Sequence, residues 1–103
     1  MSMLKIFCFM SISVLVSTTA SVSLAADAAA GKEKSMLCSG CHGADGISLT
    51  PDIPNLASQK EAYLVKAIKD FRVGSRKNPM MNSIAQGLSD DEIANLAAYY
   101  ASL

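Results

Sequence analysis

The amino-acid sequence predicts an all-α domain with three main helices joined by two long loops. No segment shows the sustained polar–apolar alternation of a β-strand. Two segments instead place apolar residues at helical spacing, and each begins with a serine followed three residues later by a glutamate. Loops of the predicted length are unusual in a small domain unless they have a function.

The first two helices are separated by a loop rich in glycine and proline. Residues 26–37 are rich in alanine and favour a helix, whereas residues 43–57 hold Gly43, Gly46, Pro51 and Pro54. The second helix is predicted to begin at Ser58, which has capping-box spacing to Glu61, and to end at Gly74. Its apolar face is formed by Tyr63, Leu64, Ala67, Ile68 and Phe71.

The third helix reaches the end of the chain. Residues 75–88 are predicted to form a second loop with one helical turn near Ile84. Ser89 and Glu92 then make another capping box, and acidic residues fill the first turn, where they are favourable. The apolar face of this helix is formed by Ile93, Leu96, Ala97 and Tyr100.

Residues 1–25 have the pattern of a secretory signal peptide. Lys5 provides the positive start, residues 6–16 the apolar region and residues 23–25 (Ser-Leu-Ala) the cleavage site. Because a transmembrane helix needs about 20 apolar residues, we expect export to the periplasm and no membrane insertion after cleavage. An uncleaved N-terminal anchor is the alternative. Cleavage takes 25 of the 103 residues and leaves a domain of 78, residues 26–103.

The charge and cysteine content of this domain limit its functions. The whole chain has nine basic and nine acidic residues, so no strong field favours nucleic acid as a partner. Cleavage removes Cys8 and leaves Cys38 and Cys41 as the only cysteines. A domain this small often needs a disulfide, a metal or a cofactor for stability.

Cys38, Cys41 and His42, the only histidine, form a C-x-x-C-H motif with three competing interpretations. A structural zinc site needs four ligands, and the mature chain has no further cysteine or histidine. A thioredoxin-type dithiol belongs beside a parallel sheet, and no strands are predicted. Covalent haem attachment is the third interpretation, because C-x-x-C-H is its signature. Two thiols at this spacing can add to the two vinyl groups on a porphyrin, and His42 then offers an imidazole nitrogen to the iron.

The haem iron also needs a sixth ligand or an open position for chemistry. His–Met ligation is the pattern of the cytochromes c and raises the reduction potential. Met36 precedes the first cysteine by two residues and is expected to pack as an apolar side chain. Met80 and Met81 lie in the second loop, so one of them is expected to bind the iron.

The residues of the mature chain resemble those of the class I cytochromes c. The chain is most similar to short bacterial periplasmic cytochromes of the c-553, c4 and c5 type, and also to the haem subunit of flavocytochrome c sulfide dehydrogenases. The resemblance rests on Gly31-Lys32, CSGCHGADG (38–46), IPNL (53–56), YLVKAIKDFRVGSR (63–76) and NPMMNSIAQGLSDDEIANLAAYYASL (78–103).

This resemblance implies roles for individual residues. Cys38 and Cys41 would carry the thioethers of one haem c, and His42 would be the proximal ligand. The carbonyl of Pro54 would accept a hydrogen bond from the other ring nitrogen of His42. Met81 fits the distal ligand better than Met80. Gly31 and Tyr99 match the place where the first and last helices cross.

With both axial positions filled, the iron has no site for a substrate, so we expect an electron carrier and not an enzyme. Its partners would be redox proteins, and the alternative is the haem-bearing subunit of a flavin-dependent sulfide dehydrogenase. A sensor with a weak iron–methionine bond is a third class. Residues 60–77 hold six basic and two acidic residues, which form either a solvated surface or a field that steers an acidic partner.

Overall fold

The computed structural model describes residues 12–17 and 25–103. Most of the predicted signal peptide lies outside these residues. Within them no helix is both long and apolar enough to cross a membrane. The described chain contains no strand, so the all-α prediction is confirmed. Its helices are α1 (Ala28–Lys34), α2 (Met36–His42), α3 (Glu61–Val73), α4 (Pro79–Gln86) and α5 (Asp90–Ala101).

The first helical segment extends beyond its predicted end and breaks at Ser35. Asp27 caps α1 by accepting hydrogen bonds from the backbone of Ala29 and Ala30. The buried Ser35 separates α1 from α2, and its hydroxyl donates to the carbonyl of Lys32 at 2.6 Å. The α2 helix then carries the whole C-x-x-C-H motif, whereas the first predicted helix, residues 26–37, ended before this motif.

Helices α1 and α5 cross at Gly31, as the resemblance implies. A Cβ atom at Gly31 would lie 2.0 Å from the carbonyl oxygen of Asn95 and 2.9 Å from Cβ of Tyr99. Only glycine permits this approach, because the backbones themselves are in contact. An ion pair between Lys34 and Glu92 joins the same two helices.

The predicted start of α3 is wrong. The helix begins at Glu61, and its cap residue, Lys60, makes no side-chain capping bond. Ser58 has a positive φ of 63°, and its hydroxyl donates to the carbonyl of Leu103. A contact with the C-terminus therefore replaces the expected cap. The predicted end is confirmed, since Gly74 adopts the left-handed conformation with φ of 81°.

The second predicted loop contains an eight-residue helix, α4, and not a single turn. Asn78 caps it by accepting a hydrogen bond from the backbone N–H of Met81 at 3.0 Å, and Pro79 occupies the first helical position. Proline is favoured there because its fixed φ suits the helix and its missing N–H would have no partner. Both methionines considered as iron ligands thus lie in the first turn of a helix.

Helix α5 supplies most of the core. The predicted capping box at its start is present, with reciprocal bonds between Ser89 and Glu92. All four residues of its predicted apolar face are buried, with exposed fractions of 0–2%. They pack with Leu64 of α3 and with Leu88, which precedes α5. The other residues of the predicted apolar face of α3 border a cavity beside this core: Tyr63, Ala67, Ile68 and Phe71.

Candidate functional site

Helix α2 presents the two thiols to one side of the cavity. Cys38 and Cys41 stand three residues apart, which places them on the same face of a helix. Both thiols are unpaired, Cys38 being partly buried and Cys41 exposed. Burial raises the pKa of the Cys38 thiol above its ordinary value. A raised pKa disfavours the thiolate, which is the attacking form of a cysteine.

His42 is held in one orientation by the loop that follows α2. It is 8% exposed, and its Nδ1 lies 2.7 Å from the carbonyl oxygen of Pro54. Because a carbonyl can only accept, Nδ1 carries the hydrogen and Nε2 keeps its lone pair. Nε2 is therefore the ring nitrogen that can bind a metal.

The site residues predicted from the sequence surround one cavity of about 510 Å³. This volume lies within the range of about 300–1,000 Å³ typical of cofactor pockets. Predominantly apolar side chains of α3, α4 and α5 form its walls, as expected for a flat apolar macrocycle. The six predicted residues that border it are Cys38, Cys41, His42, Pro54, Met80 and Met81.

The two methionines differ in burial. Met80 is 62% exposed, whereas Met81 is half-buried. Both border the cavity, but only the backbone N–H of Met81 is capped by Asn78. Met81 is thus the less exposed of the two methionines and the one whose backbone is capped.

Two further polar groups were not assigned to the site from the sequence: the hydroxyl of Tyr100, which borders the cavity, and the side chain of Asn82, which is adjacent to Met81 in the chain. The hydroxyl of Tyr100 is buried and has no hydrogen-bond partner within the described residues. Asn82, next to Met81, bonds three backbone groups with its side chain. A polar residue inside an otherwise apolar helical face is a weak signal, and its partners become visible only in the fold.

The donor set fits a haem attached by two thioethers. Two thiols and an imidazole lie on one helix and a thioether sulfur lies on another, and both helices border an apolar cavity. An all-helical domain with this arrangement is a c-type cytochrome. Residues 28–103 match the family model described as Cytochrome c. The chain belongs to this family, which binds haem c covalently.

Relatives of two lengths match this chain. Cytochrome c-554(548) of Halomonas halodenitrificans is 51% identical over 76% of this chain and 98% of its own length. The crystal structure of reduced recombinant cytochrome c4 from Pseudomonas stutzeri superposes with a TM-score of 0.72. It is 40% identical, and the match covers 76% of this chain and 46% of that one. The chain spans only 39–41% of the curated cytochromes c4.

A relative that is a subunit of a larger enzyme also matches. The cytochrome subunit of sulfide dehydrogenase from Chlorobaculum tepidum is 37% identical over 71% of this chain and 66% of its own length. Members of this family thus occur both as separate cytochromes and as subunits of dehydrogenases.

Proposed function

We propose that this protein is a periplasmic one-electron carrier in which His42 and Met81 bind the iron of one haem c. The observation that carries the proposal is the placement of the two side chains around one cavity. His42 is fixed by Pro54, with Nε2 free, and Met81 is half-buried in the first turn of α4. When bound, haem c supplies a one-electron Fe(III)/Fe(II) couple.

The chain's own residues hold, orient and shield the haem. Cys38 and Cys41 form the two thioethers, which fix the haem to α2. The bond to Pro54 keeps the His42 ring in one tautomer and raises the basicity of its free nitrogen. Apolar side chains of α3 and α5 border the cavity and would limit the access of water to the haem. A sulfur ligand of low donor strength, Met81, raises the reduction potential.

With His42 and Met81 both bound to the iron, no position would remain for a substrate, so the proposed protein is a carrier and not an enzyme. Absorption spectra of the oxidised and reduced protein, with and without carbon monoxide, test the proposal. We expect a haem that resists acid–acetone extraction and a reduced form that carbon monoxide does not bind rapidly and completely at neutral pH. Rapid and complete binding would mean an open sixth position and would contradict the proposal.

The second candidate function is that of a permanent subunit of a dehydrogenase. The match to a sulfide dehydrogenase subunit favours it. The rim of the cavity is apolar and exposed, with exposed fractions of 53% for Leu37, 49% for Tyr63 and 62% for Met80. Stable subunit interfaces are large and apolar, whereas transient redox contacts are small. Size-exclusion chromatography of native extract separates the two. Elution with a flavoprotein supports the subunit, and elution near 10 kDa supports the free carrier.

We assign the protein to the periplasm through the predicted signal peptide. Thioether-bound haem fits this location, since its attachment belongs outside the cytoplasm. Mass spectrometry of protein purified from the periplasmic fraction provides the test. We expect an N-terminus at Ala26, and a retained residue 1–25 segment would favour the N-terminal anchor.

A further inference from the structure

The side chain of Asn82 ties together three parts of the chain on the methionine side of the cavity. Its Nδ2 donates to the carbonyl oxygens of Phe71 and Arg76, both at 2.8 Å. Its Oδ1 accepts from the backbone N–H of Asn78 at 2.9 Å. One amide thus joins the last turn of α3, the loop that follows Gly74 and the cap of α4.

The hydrogen bonds of Asn82 are connected to Met81 through Asn78. Asn78, which donates its N–H to Asn82, accepts with its own side chain from the N–H of Met81 at 3.0 Å. The first turn of α4 is therefore held by two side chains. Asn78 caps the turn, and Asn82, the residue after Met81, ties it to the end of α3 and the loop that follows. Both Nδ2 hydrogens and one oxygen lone pair of Asn82 are used, so the side chain has one orientation.

We propose that Asn82 is a positioning residue that holds Met81 as the iron ligand. This inference rests on the proposed His42–Met81 ligation. The thioether is a neutral, weak ligand, so the free energy of its bond to iron is sensitive to the freedom of the segment that carries it. A segment already ordered by Asn82 loses less conformational entropy when Met81 binds. Met80 lacks the equivalent support, because its neighbours Pro79 and Met81 have no polar side chain.

The central variant is Asn82→Ala, which removes all three bonds at a partly buried site without altering the charge. Groups that orient metal ligands typically change affinity by about 10- to 100-fold when removed. We therefore expect the carbon monoxide affinity of the reduced Asn82→Ala protein to rise by about that factor. We also expect its reduction potential to fall and the Met–Fe(III) charge-transfer band to weaken, while covalent haem is retained.

Asn82→Asp serves as a second variant of equal size. It keeps the acceptor oxygen but loses the two donors and turns a carboxylate toward two carbonyls. We expect it to behave as Asn82→Ala does in carbon monoxide binding. If Asn82→Ala does not fold, Asn82→Asp carries the same test.

Asn95→Ala is the matched control, because it also removes a side chain to backbone bond between distant segments. Oδ1 of Asn95 accepts from the N–H of Asp27 at 2.8 Å, on the α1–α5 side of the domain. We expect this variant to lose stability but to keep wild-type carbon monoxide affinity and potential. If the Asn82 variants lose only stability, as Asn95→Ala does, the positioning role is refuted.

Met81→Ala, measured in parallel, separates this inference from the proposed function. If Met81→Ala opens the iron to carbon monoxide and the Asn82 variants do not, only the role of Asn82 is wrong. If Met81→Ala leaves the iron closed, Met81 is not the ligand, and both proposals are overturned.

Discussion

The carbonyl oxygen of Pro54 and Nδ1 of His42 are 2.7 Å apart, although twelve residues separate them in the chain. The bond fixes the hydrogen on Nδ1, so the lone pair of the imidazole is on Nε2. It also links the end of α2 to the loop that returns toward α3. The geometry of the proposed proximal ligand is therefore set by local helix structure on one side and by a loop contact on the other.

Replacement of His42 tests the proximal assignment. We expect His42→Ala to abolish formation of the holo-protein, because ligation and the recognition of the attachment motif are both lost. The measurement is haem content after acid–acetone extraction. A red protein with normal haem content would contradict the assignment of His42.

Separate alanine variants of the two methionines test the distal assignment. We expect Met81→Ala to keep covalent haem but to open the sixth position and lower the reduction potential. Met80→Ala is expected to behave as the wild type, since the 62% exposed side chain contributes little to the cavity. Carbon monoxide binding and potentiometry measure both effects. If Met80→Ala opens the sixth position and Met81→Ala does not, Met80 is the iron ligand.

Local signals in the sequence predicted those parts of the fold whose contacts are local. The Ser89–Glu92 capping box is present because its bonds join residues three apart. Ser58 and Glu61 have the same spacing, yet Ser58 instead donates to Leu103, 45 residues away. A pattern over four residues does not contain information about the C-terminus. For α4, glycine and proline indicated a loop, although Asn78-Pro79 is typical of a helix start.

The candidate site likewise contains parts that the sequence predicted and contacts that only the fold reveals. Its attachment motif could be read from five adjacent residues, and the structure places Met81 and Pro54 at the same cavity. The contacts of Asn82 with the carbonyls of Phe71 and Arg76 could not be predicted, because they arise from how α4 packs beside the end of α3. The family resemblance identified Pro54, which orients His42, but not Asn82, which bonds to the cap of the helix that carries Met81.

The helix crossing at Gly31 predicts a large effect of a single methyl group. Alanine normally stabilises a helix by about 1 kcal/mol relative to glycine. At Gly31 its Cβ would overlap the carbonyl of Asn95, so α1 and α5 must separate. We expect Gly31→Ala to destabilise the holo-protein by about 1–3 kcal/mol, measured by guanidinium unfolding. Gly40→Ala is the control, because a Cβ there meets nothing within 4 Å. Equal stability of both variants would contradict the close crossing.

The ion pair between Lys34 and Glu92 predicts a dependence of stability on pH. The hydrogen bond from Lys34, with the bond to the backbone of Ser89, lowers the pKa of Glu92 below its ordinary value of 4.5. A lowered folded-state pKa gives stability that is present above the unfolded-state pKa and is lost as pH falls through the folded-state value. We therefore expect the stability of the wild type to decline below about pH 5.

Glu92→Gln isolates this charge, because glutamine can keep the capping box. The difference in denaturation midpoint between the wild type and Glu92→Gln is expected to be largest near neutral pH and to shrink as pH falls. Glu33→Gln is the control, since Glu33 forms no ion pair within residues 25–103. A difference that is independent of pH would show that the Lys34–Glu92 pair contributes nothing to folding.

The basic residues between positions 60 and 77 predict a salt-dependent encounter with an acidic redox partner. Two of them are neutralised, because Lys66 pairs with Asp70 and Arg72 with Asp90. Lys77 borders the cavity and forms no ion pair within the described residues. Positive charge is therefore unpaired beside the proposed haem site, where complementary charge would raise the association rate.

Stopped-flow reduction by an acidic partner at increasing ionic strength tests this field. A charge pair about 8 Å apart in water interacts by about 0.5 kcal/mol, so we expect Lys77→Gln to slow association about twofold at low salt. Lys66→Gln makes the same charge change away from the cavity and is expected to have a smaller effect. As salt rises, screening removes the difference between the variants. A rate that does not depend on ionic strength would mean that residues 60–77 form only a solvated surface.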